Sequence, residues 1–178
     1  GTSADIFVWN MQSITEGNEP PFEGSNVISW DYTSENEWFG AGIQAREIRD
    51  LSNFSEDGVL SFKIKIPADV SFKIGIEDTY TNINWIEFPA DEEYFGLVRD
   101  GQWSTVTIPV NELRGELIAL QSLKGLFYIA SLDNDLPTAP FEMAIDDIVW
   151  LGGSSTLNPD DTDNDGVLDT NDTCPNTQ

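Results

Sequence analysis

Val59-Leu60-Ser61-Phe62-Lys63-Ile64-Lys65-Ile66 is followed, after a Pro67-Ala68-Asp69 turn, by Phe72-Lys73-Ile74-Gly75-Ile76-Glu77. Both stretches alternate apolar and polar residues. Successive side chains of a strand point to opposite faces, so Leu60, Phe62, Ile64 and Ile66 share one side of the first strand. Phe72, Ile74 and Ile76 share one side of the second, and Lys73, Gly75 and Glu77 share the other. Each strand has one face suited to a core and one suited to water, which is the habit of antiparallel sheets.

The same punctuation extends in both directions. Ile6-Phe7-Val8-Trp9 reads as a first strand. Val27 to Tyr32 and Trp38 to Gln44 are β-rich runs split by Thr33-Ser34-Glu35-Asn36. Asn84 to Phe88 precedes an acidic loop from Ala90 to Glu93, and Gln102 to Pro109, Leu126 to Ala130 and Phe141 to Trp150 complete the strands. Val110 to Leu120 reads as a helical turn or short helix. Short strands with little helix predict an all-β antiparallel sandwich of the jelly-roll kind, with a closed barrel as the competing arrangement. The 178 residues accommodate one domain, predicted over 4–151, plus a tail.

Composition narrows the partners. Thirty-two Asp and Glu against eight Lys and Arg leave a net charge of −24, and no basic residue follows Lys124. Such a surface repels nucleic acid, whose affinity comes from phosphate neutralisation, and it repels anionic membranes. No apolar run approaches the ~20 residues that span a bilayer. Histidine is absent, which excludes Ser-His-Asp and Cys-His centres within the chain.

The tail carries its own chemistry. Asp161, Asp163, Asp165, Asp169 and Asp172 occupy positions 1, 3, 5, 9 and 12 of a loop with Gly166 at position 6. Alternate oxygens turned inward, with the Val167 carbonyl at position 7, suit a hard cation, and calcium is the expected cofactor. Helix-forming flanks are missing: residues 152–159 are a Gly- and Ser-rich linker, and Cys174-Pro175 follows the loop. This DxDxDGxxDxxDxCP pattern over residues 160–178 resembles a thrombospondin type 3 repeat. In that family, cysteines pair between neighbouring repeats. Cys174 is the chain's single cysteine, so the expectation is a piece of a longer secreted protein.

Three further phrases carry a second resemblance: Leu60–Pro67 with Phe72–Asp78, Asp100–Leu113 and Phe141–Trp150. Their order resembles galactose-binding-like jelly rolls, including family-11-type carbohydrate-binding modules and the C-terminal domain of exo-β-glucanases. The resemblance implies a secreted, non-catalytic module that targets a covalently attached polysaccharide-degrading enzyme to its polysaccharide. It implies a structural role in the core for Trp103. It also implies a second calcium site, with Asp146 as one ligand and Glu23 of an early loop as its partner.

Sugars bind flat aromatic faces flanked by polar side chains. Of six tryptophans, Trp30 and Trp150 alternate with apolar neighbours and Trp9 ends the first apolar strand, so all three are expected in the core or at its rim. Trp38 and Trp85 lie in polar surroundings and are the platform candidates, with Tyr80 and Tyr94 next. Lys73, Glu77 and Glu87 would share the outward face, with Gly75 leaving room for a sugar ring. Arg46, Arg49 and Arg99 are scarce cations, either salt-bridged or reserved for ligand; Arg99 joins the candidate contacts. The acidic surface favours a neutral polysaccharide, a β-glucan or a galactan such as agarose. A structural or adhesive spacer is the alternative. With so many acids, carboxylate pairs arise by chance, so no glycoside hydrolase or lyase activity is expected.

Overall fold

The structure is a computed structural model describing residues 4–152 apart from Asn10. The acidic loop at 161–172, expected to bind calcium, Cys174 and nearly all of the linker lie outside the described residues. Among those described, ten strands and one short α-helix follow in order: β1 (Ala4–Val8), β2 (Ile14–Glu16), β3 (Ile28–Tyr32), β4 (Gly40–Arg49), β5 (Val59–Lys65), β6 (Phe72–Asp78), β7 (Ile83–Phe88), β8 (Ser104–Pro109), α1 (Val110–Arg114), β9 (Leu123–Ala130) and β10 (Phe141–Leu151). Two five-stranded sheets, ordered β1-β4-β9-β6-β7 and β2-β3-β10-β5-β8, form a sandwich. The pairings in both are antiparallel. Among the described residues, no helix is long and apolar enough to cross a membrane.

The alternation in β5 and β6 does what the sequence predicts. Leu60, Phe62 and Ile64 point into the sandwich, as do Phe72, Ile74 and Ile76, while the lysines of both strands point out. Aromatic contacts fill the interior: Phe72 stacks on Phe88 at 4.7 Å within the first sheet, and Phe62 meets Phe127 edge-on at 5.1 Å across the sheets. Trp30 is buried in this core, and Trp150 packs at its rim against Phe54.

The two outer faces differ. A loop over residues 17–26 straps the outer face of the second sheet. Its Gly17 and Glu19 amides donate to the carbonyl and hydroxyl of Ser29, and Glu19 pairs with Lys65 at 2.5 Å. The Phe22 amide donates to Asp146 Oδ2, and the Phe22 ring covers the Lys63 ammonium at 4.3 Å. Trp103 is not in the core as the resemblance implied. It precedes β8 in the outward phase, half-buried against Phe22 under the strap.

The strap also bears on the implied second calcium site. Asp146 accepts the amide hydrogens of Phe22 and, at 2.8 Å, Asp147, where β10 bulges against β5. Glu23 is exposed beside Phe22, and no cluster of three or more carboxylate, His or Cys ligands gathers among the described residues. Both Asp146 carboxylate oxygens there accept backbone amide hydrogens and so close the loop.

The turn between β6 and β7 is built on Asp78, which is fully shielded from solvent. Burial pushes its carboxyl up, but hydrogen bonds from the Asn82 side chain and from the Ala119, Asn82 and Tyr80 amides outweigh this and hold it below the usual carboxylate range. A depressed pKa adds stability above the unfolded value, about pH 4, and loses it as pH falls through the folded value. Asp78→Asn turns an amide donor toward these donors, at a cost of about 2 kcal/mol at neutral pH. Thermal melts should show Tm lower by about 4–8 °C, with the gap to the unsubstituted chain narrowing below about pH 4.

Candidate binding face

Among the described residues, no loop straps the outer face of the first sheet. Its residues fall in rows across the strands. In the central row, Phe7 of β1 pairs with Gly42 of β4, Gly42 with Tyr128 of β9, Tyr128 with Gly75 of β6, and Gly75 with Trp85 of β7. A glycine inside a strand gives up packing and leaves room for close approach. Here rings fill the room. A Cβ added at Gly75 would lie 2.5 Å from Trp85 Cε3, and one at Gly42 or Gly125 would strike the Tyr128 ring. One at Gly40 would strike Trp38 and come within 2.7 Å of Trp9. The glycines therefore let four aromatic side chains lie down on the sheet.

Trp9, Trp38, Tyr128 and Trp85 contact one another. Trp9 is 6.2 Å from Trp38 at 35°, and it meets Tyr128 edge-on at 4.8 Å. Trp85 is 6.2 Å from Tyr128 at 37°. With Gln44, Glu77, Ile83 and Lys124 they line a groove of about 360 Å³, near the lower end of ligand sites at ~300–1,000 Å³. Trp38 and Trp85 are half-buried, and Trp9 is 42% exposed. The rings thus have one side on the sheet and part of their surface open.

Tyr128 is almost wholly buried and organises the polar part of the groove. Its hydroxyl donates to Glu77 Oε2 at 2.6 Å and accepts from Gln44 Nε2 at 2.6 Å. Burial, reinforced by the Glu77 carboxylate and only partly opposed by Gln44, pushes the phenol far above its ordinary pKa. The hydroxyl therefore stays protonated and holds both side chains in place.

The structure brings Trp38, Trp85 and Glu77 together in the groove, as the sequence suggested. Lys73 is one row away, its ammonium 5.1 Å from the Trp85 ring centre and 2.9 Å from Asp133. Glu87 pairs in register with Lys73 and is exposed beside the groove. Tyr80 projects from the β6–β7 turn, and Tyr94 donates to Glu92 in a later loop; neither lines the groove. Arg99 requires a correction. Its guanidinium donates to the carbonyls of Val70, Phe88, Pro89 and Glu92 and packs on Phe72, so it clamps strand ends. Arg46 pairs with Asp5, the salt-bridge reading.

Sequence reasoning missed Trp9, Tyr128, Gln44, Lys124 and Ile83. Trp9, expected inside, follows β1 in the outward phase of Phe7, with its amide on the Gly40 carbonyl. Gly75 also differs from expectation: the space above it holds Trp85 and not a sugar. The available signal was the set of strand-interior glycines, which marked close approach by something flat.

Residues 7–151 match the family model described as carbohydrate binding domain 30. The chain belongs to that family. It is a non-catalytic carbohydrate-binding module, and the family model narrows the earlier resemblance to family 30. Among solved structures, it is similar to the family 30 module of the cellulosomal cellulase Cel9D-Cel44B of Clostridium thermocellum, with 16% identity, TM-score 0.60 and coverage of 86% of this chain and 94% of that one. It is also similar to the extra C-terminal domain of the exo-1,3/1,4-β-glucanase of a Pseudoalteromonas species, with 16% identity, TM-score 0.54 and coverage of 79% and 70%. An exo-β-agarase shares the fold at 13% identity and TM-score 0.53; 83% of this chain matches 24% of that one. At such identities the likeness is one of fold. A comparison with curated proteins gives no match.

Proposed function

We propose that the family 30 module holds a neutral polysaccharide, a β-glucan or a galactan such as agarose, in the groove on the open face of the first sheet. The observation behind this reading is the aromatic surface of Trp9, Trp38 and Trp85, laid on glycines on the face that none of the described segments straps. Flat rings stack on the C–H faces of sugars, and Glu77 and Gln44, fixed by Tyr128, meet hydroxyls. One carboxylate, Glu77, and one ammonium, Lys124, leave the groove itself near neutral, within a chain of net charge −24. An anionic glycan would meet that field as repulsion.

Binding would keep a covalently attached polysaccharide-degrading enzyme at its substrate outside the cell, raising effective concentration. The origin of similar modules in a cellulosomal cellulase and an exo-β-glucanase supports this. In the same reading, Asp161, Asp163, Asp165, Asp169, Asp172 and the Val167 carbonyl hold calcium and stiffen the connection to a neighbouring module.

Electrophoresis through gels containing hydroxyethylcellulose, mixed-linkage β-glucan, galactan or agarose tests the glycan reading. Retardation is expected in at least one neutral gel and none in alginate. Free migration in every neutral gel overturns it. Calorimetric titration with calcium tests the tail separately: heat is expected for the full chain and is lost in the Asp163→Asn, Asp165→Asn double variant. Equal heat from both chains excludes the loop.

A further inference from the structure

The groove does not reach the end of its row. Phe7 stands on the outer strand β1, in register with Gly42 and on the same face as Trp9, and is 41% exposed. The groove rings contact one another, whereas the Phe7 ring has no aromatic partner among the described residues. Strands are ~4.8 Å apart, so the four steps from Trp85 to Phe7 cover ~19 Å, more than one sugar ring occupies. Gln44 already lines the groove and lies two residues along β4 from Gly42, between the rings and the Asp5–Arg46 ion pair.

We propose that Phe7 forms an outer stacking subsite, continuous with the groove, that binds a further sugar of the same chain. This rests on the glycan reading above and adds a direction: the polysaccharide runs across the strands, from β7 toward β1. Single rings and disaccharides stay on the tryptophans. Longer oligosaccharides reach Phe7, where Gln44 and Arg46 are the nearest polar side chains on β4. The module therefore selects for chain length as well as for sugar type.

Calorimetry with two ladders tests this: cellobiose to cellohexaose, and neoagarobiose to neoagarohexaose. Unsubstituted protein should gain affinity with length on at least one ladder. Phe7→Ala should lose about fivefold for the longest oligosaccharide and nothing for the shortest that binds. Phe7→Leu keeps an apolar side chain without a flat face and should behave like alanine. If either variant matches the unsubstituted protein at every length, or if leucine restores what alanine loses, the subsite is wrong and the groove stands. If the unsubstituted protein binds neither ladder and no neutral polysaccharide gel, the underlying reading fails as well.

Discussion

Trp85→Ala is expected to weaken binding to the retained polysaccharide by about 100-fold, in the range of a buried aromatic anchor at an interface. The reason is positional. The ring lies on Gly75 at one end of the groove, tilted against Tyr128, with the Lys73 ammonium beside it. Alanine leaves Gly75 uncovered and the β7 side of the groove with only Ile83. No other ring fills the gap, because Tyr128 is fixed between Glu77 and Gln44. The core is untouched: Trp85 is outside the sandwich, while Ile86 and Phe88 carry the inward packing of β7. The variant should therefore melt cooperatively and migrate freely in the gel. A folded Trp85→Ala protein that binds as tightly as the original would remove Trp85 from the platform. Trp9→Ala should cost less, since Trp9 is at the groove's rim.

The contrast between Trp85 and Arg99 shows what the sequence can reveal. Trp85 stood out for its polar surroundings and Arg99 as one of few cations. Trp85 could be placed because the polar stretch from Thr79 to Asn84 before it marks an exposed loop or strand edge. Arg99 could not, because the carbonyls it clamps come from β6–β7 strand ends that meet only in the folded chain. Strand existence was legible wherever one face was polar, as in β5. It was less so in β2, whose three residues are too short to show a period. Face assignment failed where both faces are apolar. Ile6-Phe7-Val8-Trp9 gives no phase, and Tyr128 hides inside Leu126-Phe127-Tyr128-Ile129. Trp103 was misplaced for another reason. An outward tryptophan is shielded only because the residue 17–26 strap crosses the sheet, and a Pro-rich loop carries no periodic sign of where it will lie.

Glycines are the other half of the platform, and Gly75→Val tests them. A Cβ there meets Trp85 Cε3 at 2.5 Å and the Asn84 carbonyl oxygen at 2.7 Å. The ring could tilt away, but the carbonyl belongs to the β6–β7 ladder and cannot move without breaking register with Ile76. A β-branched side chain is stiff about χ1, so its two methyls cannot both avoid the ring. The substitution should therefore lift Trp85 off the sheet and strain the ladder at once. We expect binding to fall at least as far as in Trp85→Ala, with a stability loss of about 2–3 kcal/mol typical of overpacking. The double variant Gly75→Val with Trp85→Ala separates the two effects. Removing the ring relieves part of the clash, so the double variant should be more stable than Gly75→Val alone, though equally unable to bind. Additive losses of stability in the pair would mean that the ring does not rest on Gly75, and the glycine-backed platform would then have to be abandoned.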